Sequence, residues 1–203
     1  MALYCMQPPQ RKYAAEVPIF LCAAVRDKPD EKMDSLIVPK VVWRIDGMAI
    51  EKVKEYFKTY NMADRIQEFM VSSATVELAA QALHCEPCRI AKTLSFMVEG
   101  NPILIVTAGD AKIDNPKYKA KFGTKAKMLT PEEAETLVGH AVGGVCPFAV
   151  CEGVTIYLDE SLKRFETVFP ACGSSNSAIE LNISELENYS GYQEWVDVCK
   201  LLS

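Results

Sequence analysis

Histidine is almost missing from this chain: His84 and His140 are the only two in 203 residues. That scarcity, with no Gly-x-Ser-x-Gly elbow and no His-Glu-x-x-His helix, excludes the common serine and zinc hydrolase machinery. A P-loop and a dinucleotide fingerprint are absent as well. No uninterrupted apolar run approaches the ~18 residues that span a bilayer. Residues 17–25 form the longest apolar stretch near the N-terminus, but Pro18 interrupts it and no basic segment opens the chain, so no secretory signal is read. The expected location is therefore the cytoplasm, with no membrane association. Positive charge is also in deficit, 22 Lys and Arg against 27 Asp and Glu. A net charge of −5 argues against a general nucleic-acid coat protein.

What is present begins with eight cysteines, scattered through the chain. Without a signal peptide, reduced thiols are expected rather than a disulfide framework. His84, Cys85 and Cys88 resemble half a metal or redox site, but no second pair with matching spacing follows, so no metal and no cofactor are expected. The lysines are less evenly spread. Residues 111–128 carry six (Lys112, Lys117, Lys119, Lys121, Lys125 and Lys127) against one acid, Asp114, with Tyr118 and Phe122 among them. Such a stripe can track a phosphate backbone or be a solvated helix face. As an RNA contact it assigns Lys112, Lys117, Lys119 and Lys121.

Residues 1–47 hold five of the eleven prolines and show no sustained period. They are expected to form an N-terminal extension, partly disordered or upstream of the native start, and residues 48–203 the domain. Helical spacing of Ile50, Val53, Tyr56 and Phe57 predicts a helix over 49–60, continued over 63–69 after a break at Asn61. Ser73 or Thr75 can cap a second helix. Strands are expected over 91–98 and 102–108, joined by a hairpin turn at residues 99–101. A short helix over 115–122 ends at Gly123, and Thr130-Pro131-Glu132-Glu133 opens another that ends near Gly139. Strands follow over 148–150, 154–158, 166–169 and 178–182, with Asp159 or Ser184 capping short helices. Short strands mixed with helices, without βαβ alternation, indicate an α+β domain on a mixed sheet.

Three segments could carry chemistry. In Arg89-Ile-Ala-Lys92-Thr-Leu a lysine enters an apolar strand, where its charge must reach solvent or an anion. In Gly143-Gly144-Val145-Cys146-Pro147 paired glycines allow close backbone approach, and exposed amides there can hold an oxyanion. The third is the small polar loop Pro170-Ala-Cys-Gly173-Ser174-Ser175-Asn176-Ser177. Each is also compatible with a purely structural role. Cys146 lacks a neighbour to activate it as a nucleophile and is expected to line a pocket. His140 sits where it could either meet a substrate or satisfy helix-end carbonyls.

With Ser72-Ser-Ala-Thr-Val-Glu-Leu-Ala-Ala and Ile105-Val-Thr-Ala-Gly-Asp110, these segments resemble the YbaK/EbsC family, related to the insertion editing domain of prolyl-tRNA synthetase. Order and spacing hold across residues 48–203. The resemblance implies a barrel-like mixed β core flanked by helices, and hydrolysis of the ester joining a wrong amino acid to tRNA. It assigns Lys92 to positioning the tRNA 3′ end or the ester. Gly143, Gly144, Val145, Cys146 and Pro147 would line the aminoacyl pocket, with Gly173 and Ser174 closing its other side. Expected partners are the tRNA 3′ end and, through such a role, prolyl-tRNA synthetase; cysteinyl or alanyl groups on proline tRNA fit a glycine-built pocket. Two other classes stay open: a non-catalytic tRNA or nucleotide-binding module, and a zinc or redox protein built on Cys85 and Cys88.

Overall fold

A computed structural model describes residues 45–202; the expectations for residues 1–44 lie outside the described residues. The first helix, α1 (Ile45–Lys58), runs across Met48. Its Ala49, Ile50, Val53 and Phe57 are buried, the stripe that the apolar spacing predicts. After Asn61, whose φ is +56°, the expected helical continuation over 63–69 does not form. A 3₁₀ turn (Ala63–Arg65) and a short strand, β1 (Gln67–Glu68), replace it. Arg65 explains the change, because its guanidinium is drawn across to Glu185 at 2.7 Å and to the Glu180 carbonyl.

Helix α2 (Val76–Leu83) starts at Thr75, whose hydroxyl accepts from the Leu78 amide. The hairpin β2 (Ile90–Val98) and β3 (Asn101–Ala108) turns through Glu99 and Gly100, both with positive φ. A two-residue loop of that kind matches the twist of the strands it joins. A small strand, β4 (Ala111–Ile113), precedes α3 (Asn115–Phe122), which Asp114 caps and Gly123 ends in the left-handed region. The Thr130 capping box opens α4 (Pro131–Glu133), and the chain then widens into a π-helical turn (Ala134–Val138) ending at Gly139.

The expected strand over 148–150 is a bend. Ala149 has φ +50°, and no extended strand passes through that region. Next come β5 (Thr155–Asp159), β6 (Thr167–Pro170), β7 (Ser177–Ala178) and β8 (Leu181–Asn182). Asp159 caps a 3₁₀ turn by accepting from the Ser161 amide. Asn182, rather than Ser184, caps α5 (Ile183–Ser190) in a reciprocal box with Glu185. Ser184 lies one position inside that helix, too late to serve its first amides. The chain closes with β9 (Glu194–Val196) and β10 (Cys199–Leu201).

Six strands form one mixed sheet in the order β8-β6-β2-β3-β5-β9. Residues 103–106 of β3 are almost fully buried, as expected of a strand covered on both faces. Tyr118 and Phe122 fasten α3 to the sheet through rings 5.2 Å from Phe96 and 5.2 Å from Tyr157. Phe57 of α1 meets Phe148 at 4.8 Å. This is the α+β fold that the sequence indicates.

One break in the sheet decides where a ligand can go. β6 pairs with β2 only at Ile90 and Ala91. On the same edge the next neighbour is the 127–129 segment, with Leu129 N–H donating to Ser95 C=O and Met97 N–H to Lys127 C=O. Between these two pairings the edge of β2 at Thr93 has no strand beside it among the described residues.

Candidate active site

A cleft of about 350 Å³ opens at that gap, within the range of small-ligand sites. Six consecutive β2 residues, Ile90 to Ser95, form one wall. Thr75, Val76 and Ala79 of α2 contribute a second side, Gly143 and Val145 a third, and Phe169, Ala171, Ser177 and Ala178 a fourth. Leu129 and the exposed Met128 and Val142 sit around it.

Lys92 is half-buried in this wall, and its Nζ donates to the Gly109 carbonyl at 2.9 Å. Burial holds its pKa below the ordinary 10.5, while Cys199, Asp110 and Glu77 pull the other way. Gly109 can place that carbonyl because it has no side chain: a Cβ there would sit 2.0 Å from the Pro87 carbonyl oxygen.

The two loops named from sequence meet directly. A Cβ on Gly144 would lie 2.7 Å from the Ser174 amide nitrogen and 2.8 Å from the Gly173 carbonyl carbon. Gly173 in turn lies against the backbone of Ala49 in α1, with φ +83°. Gly143 and Val145 of the first loop and Ala171 of the second line the cleft; Gly144, Cys146, Pro147, Gly173 and Ser174 are not among its lining residues. Ser174 Oγ is 2.9 Å from Asn176 Oδ1 and 2.7 Å from Ser177 Oγ, so its hydroxyl is spent within the loop. The Asn176 side-chain amide donates to the Phe69 carbonyl, and the Ser73 amide to the Ser175 carbonyl. These bonds strap the approach to α2 onto the loop.

The profile of the aminoacyl-tRNA editing domain family matches residues 71–189. This chain belongs to that family. It is 53% identical over 154 residues to the uncharacterised protein YwhH of Bacillus subtilis (strain 168), a match covering 75% of this chain and 98% of that protein. A proline–tRNA ligase of Geobacillus sp. (strain WCH70) is 31% identical over 102 residues, which is 50% of this chain but only 18% of the ligase. Among solved structures, one described as a proposed trans-editing enzyme for prolyl-tRNA synthetase superposes with a TM-score of 0.68 at 29% identity. That match covers 75% of this chain and 97% of the other.

In this editing domain His140 and Cys146 lie in the core, away from the cleft. His140 Nε2 is 2.9 Å from the Phe148 carbonyl, an acceptor only, so that nitrogen carries the proton. Nδ1 is buried without a partner among the described residues. Burial lowers the His140 pKa to about 4 and raises that of Cys146 to about 12. Cys146 is fully buried, with Sγ turned towards the Phe148 carbonyl at 3.7 Å, so the expectation that it lines the pocket is corrected. Neither group is poised as a base or nucleophile near neutral pH.

The lysine stripe divides. Lys117 pairs with Asp197 at 2.6 Å, and Lys121 with Glu194 at 2.8 Å. Lys112 and Lys119 are exposed and make no ion pair among the described residues. Cys85 and Cys88 are free thiols, and no cluster of three or more His, Cys, Asp or Glu able to hold a metal occurs among the described residues. Among those residues no helix is long and apolar enough to cross a membrane.

Sequence reasoning missed most of the far walls. Thr75, Val76, Phe169 and Ala171 fall in or beside motifs already recognised, but their apolar character reads as core. The signal for Thr93 and Ser95 was alternation: both lie an even number of residues from Ala91, on the edge that loses its partner strand.

Proposed function

We propose that this protein is an aminoacyl-tRNA deacylase acting in trans, hydrolysing the ester between a small, wrongly attached amino acid and the terminal adenosine of tRNA. The observation that carries the proposal is the convergence of Lys92 and the Gly143–Val145 segment on one small cleft, in a chain of the editing-domain family. The substrate's acyl group enters along β2. Lys92 exchanges the Gly109 carbonyl for the ester or the neighbouring phosphate, and its ammonium favours the negative charge that develops on the carbonyl oxygen. Backbone amides of Gly143 and Val145 supply further donors, with Gly144, whose own amide is held by the Ala141 carbonyl, and Cys146, Pro147, Gly173 and Ser174 holding that loop in place. Water adds to the ester carbon, the C–O bond to the ribose breaks, and the ribose oxygen leaves as a hydroxyl with the proton the water gives up. An aminoacyl ester is already activated, so positioning and charge stabilisation suffice without a histidine base. Exposed Lys112 and Lys119 would meet tRNA phosphates, and prolyl-tRNA synthetase is the enzyme whose errors are corrected, in the cytoplasm.

The test is deacylation of a panel of mischarged tRNAs, including Cys-tRNA(Pro) and Ala-tRNA(Pro), by wild type and Lys92→Ala. Loss of one stabilising donor lowers turnover by ~10²–10³, so the variant should lose nearly all activity on the species that wild type hydrolyses. Full activity in Lys92→Ala would remove Lys92 from the mechanism. Tight tRNA binding with no hydrolysis of any species would favour the non-catalytic binding module.

A further inference from the structure

The Lys92 ammonium rests on a neutral acceptor, the Gly109 carbonyl at 2.9 Å, although the next residue carries a carboxylate. Asp110 sits in the turn between β3 and β4, and it and Lys92 feel each other's charge. Glu77 of α2 also acts on the lysine, but it is exposed and water screens it. Cys199 of β10 is a thiol that burial keeps protonated. Among the described residues, Asp110 is therefore the acid placed to capture the ammonium.

It does not, because Arg164 occupies it. Arg164 Nη2 donates to Asp110 Oδ1, and Nη1 to Oδ2 at 3.0 Å, the forked pairing that suits a guanidinium to a carboxylate. Arg164 is itself fixed. Its Nε donates to the Ser161 carbonyl at 2.9 Å, and its guanidinium lies 4.8 Å from the centroid of the Phe165 ring. Ser161, in the same 3₁₀ turn (Glu160–Arg164), accepts the Ala108 amide on its hydroxyl at 3.2 Å. The Leu202 amide donates to the Asp110 carbonyl at 2.7 Å. Both sides of Gly109 are thus tied, with its carbonyl on Lys92 and the Asp110 carboxylate on Arg164.

A partly exposed ion pair of this kind adds little to stability, so the fold alone does not require it. We propose that Arg164 is a positioning residue for deacylation: by engaging Asp110 it keeps that carboxylate off the Lys92 ammonium. The lysine is then left on a neutral carbonyl that the substrate can displace. This inference rests on the deacylase reading above and on the role given there to Lys92. An ester oxygen can exchange with the Gly109 carbonyl nearly like for like. It cannot compete with a carboxylate, which binds a half-buried ammonium far more strongly than a neutral acceptor does. Freed from Arg164, Asp110 would therefore hold Lys92 and silence it.

The experiment uses the full chain and the mischarged tRNA that wild type hydrolyses best. It compares wild type with Arg164→Ala, Arg164→Lys, Asp110→Asn and the double variant Arg164→Ala/Asp110→Asn. Arg164→Ala should lower kcat by about tenfold or more, approaching the loss of the lysine itself, with a thermal midpoint close to wild type. Arg164→Lys, which keeps a cation against Asp110, should lose less. Asp110→Asn alone should also cost less than Arg164→Ala. The deciding result is the double variant, which should recover most of the turnover that Arg164→Ala loses, because no carboxylate is left to take the ammonium. A double variant as slow as Arg164→Ala would overturn the proposal by giving Arg164 a purely structural role, and so would full turnover in Arg164→Ala. Should Arg164→Ala fail to fold, Arg164→Gln with and without Asp110→Asn gives the same comparison. Full activity in Lys92→Ala, or no hydrolysis by wild type of any ester in the panel, would instead remove the reading beneath this inference, and neither result involves an Arg164 variant.

Discussion

At Lys92 two requirements oppose each other. Partial burial disfavours its charge, whereas the proposed chemistry needs the ammonium. The lowered pKa means that the unfolded chain binds this proton more readily than the native one between the depressed value and 10.5. Stability from this group therefore rises with pH through that window and is lowest where the lysine is charged. Lys92→Met should accordingly unfold at a higher temperature than wild type at neutral pH while losing deacylation. A midpoint that falls instead would mean that the Gly109 hydrogen bond outweighs burial. His140 gives the complementary case in acid. Its pKa is lowered to about 4 from 6.5, so its contribution is complete above pH 6.5 and is lost as pH falls through about 4. The thermal midpoint of wild type should drop more steeply over that range than that of His140→Asn, followed by circular dichroism; parallel curves would argue against a neutral buried imidazole. The placement of Lys92 in the cleft wall was legible because a lysine in an apolar strand demands a reason. The state of His140 was not, since a histidine at a helix end reads the same whether it faces solvent or the core.

Elements were most legible where a local rule needs no tertiary information. Thr130 and Gly123 mark helix ends by capping chemistry alone, and the structure uses both; of the two candidates Ser73 and Thr75 it uses Thr75. The rule failed where two residues qualify and a long-range contact chooses. Asn182 displaces Ser184 because β8 pairs with β6 as far as Asn182, leaving that residue extended at the start of α5. The apolar run over 148–150 likewise suits a strand until Ala149 turns to positive φ. The contact between the two loops was invisible, although both had been singled out. Gly144 presses on the Ser174 amide with no space for a methyl group, and the atom opposing it is backbone, which cannot step aside. Gly144→Ala should therefore destabilise the protein by about 1–3 kcal/mol, the usual cost of overpacking. It should also lower deacylation, because the loop that carries Gly143 and Val145 is displaced. Urea unfolding and kcat together check this; wild-type values in both would show that the loops can separate freely.

For the molecule as a whole, the proposed tRNA ligand is a polyanion and the protein carries a net charge of −5, so any attraction must come from local lysines. The sequence shows six of them in one stretch but not which are already engaged, since their acidic partners Asp197 and Glu194 lie on or beside β9, more than seventy residues away. Exposed ion pairs contribute little to stability, typically 0–1 kcal/mol, but they still reduce the charge offered to a ligand. Lys112 and Lys119 remain available, whereas Lys117 and Lys121 are held by carboxylates. Replacing Lys112 and Lys119 by alanine should weaken tRNA binding and flatten its dependence on salt, by about 0.7–0.9 in the log–log slope for each lost phosphate contact. Replacing Lys117 and Lys121 frees Asp197 and Glu194 as it removes two cations. That pair should weaken binding by general repulsion, through a smaller change in slope. Titrations of both double variants over a series of salt concentrations separate the two effects. Equal slope changes would mean that tRNA breaks the intramolecular pairs and uses the whole stripe.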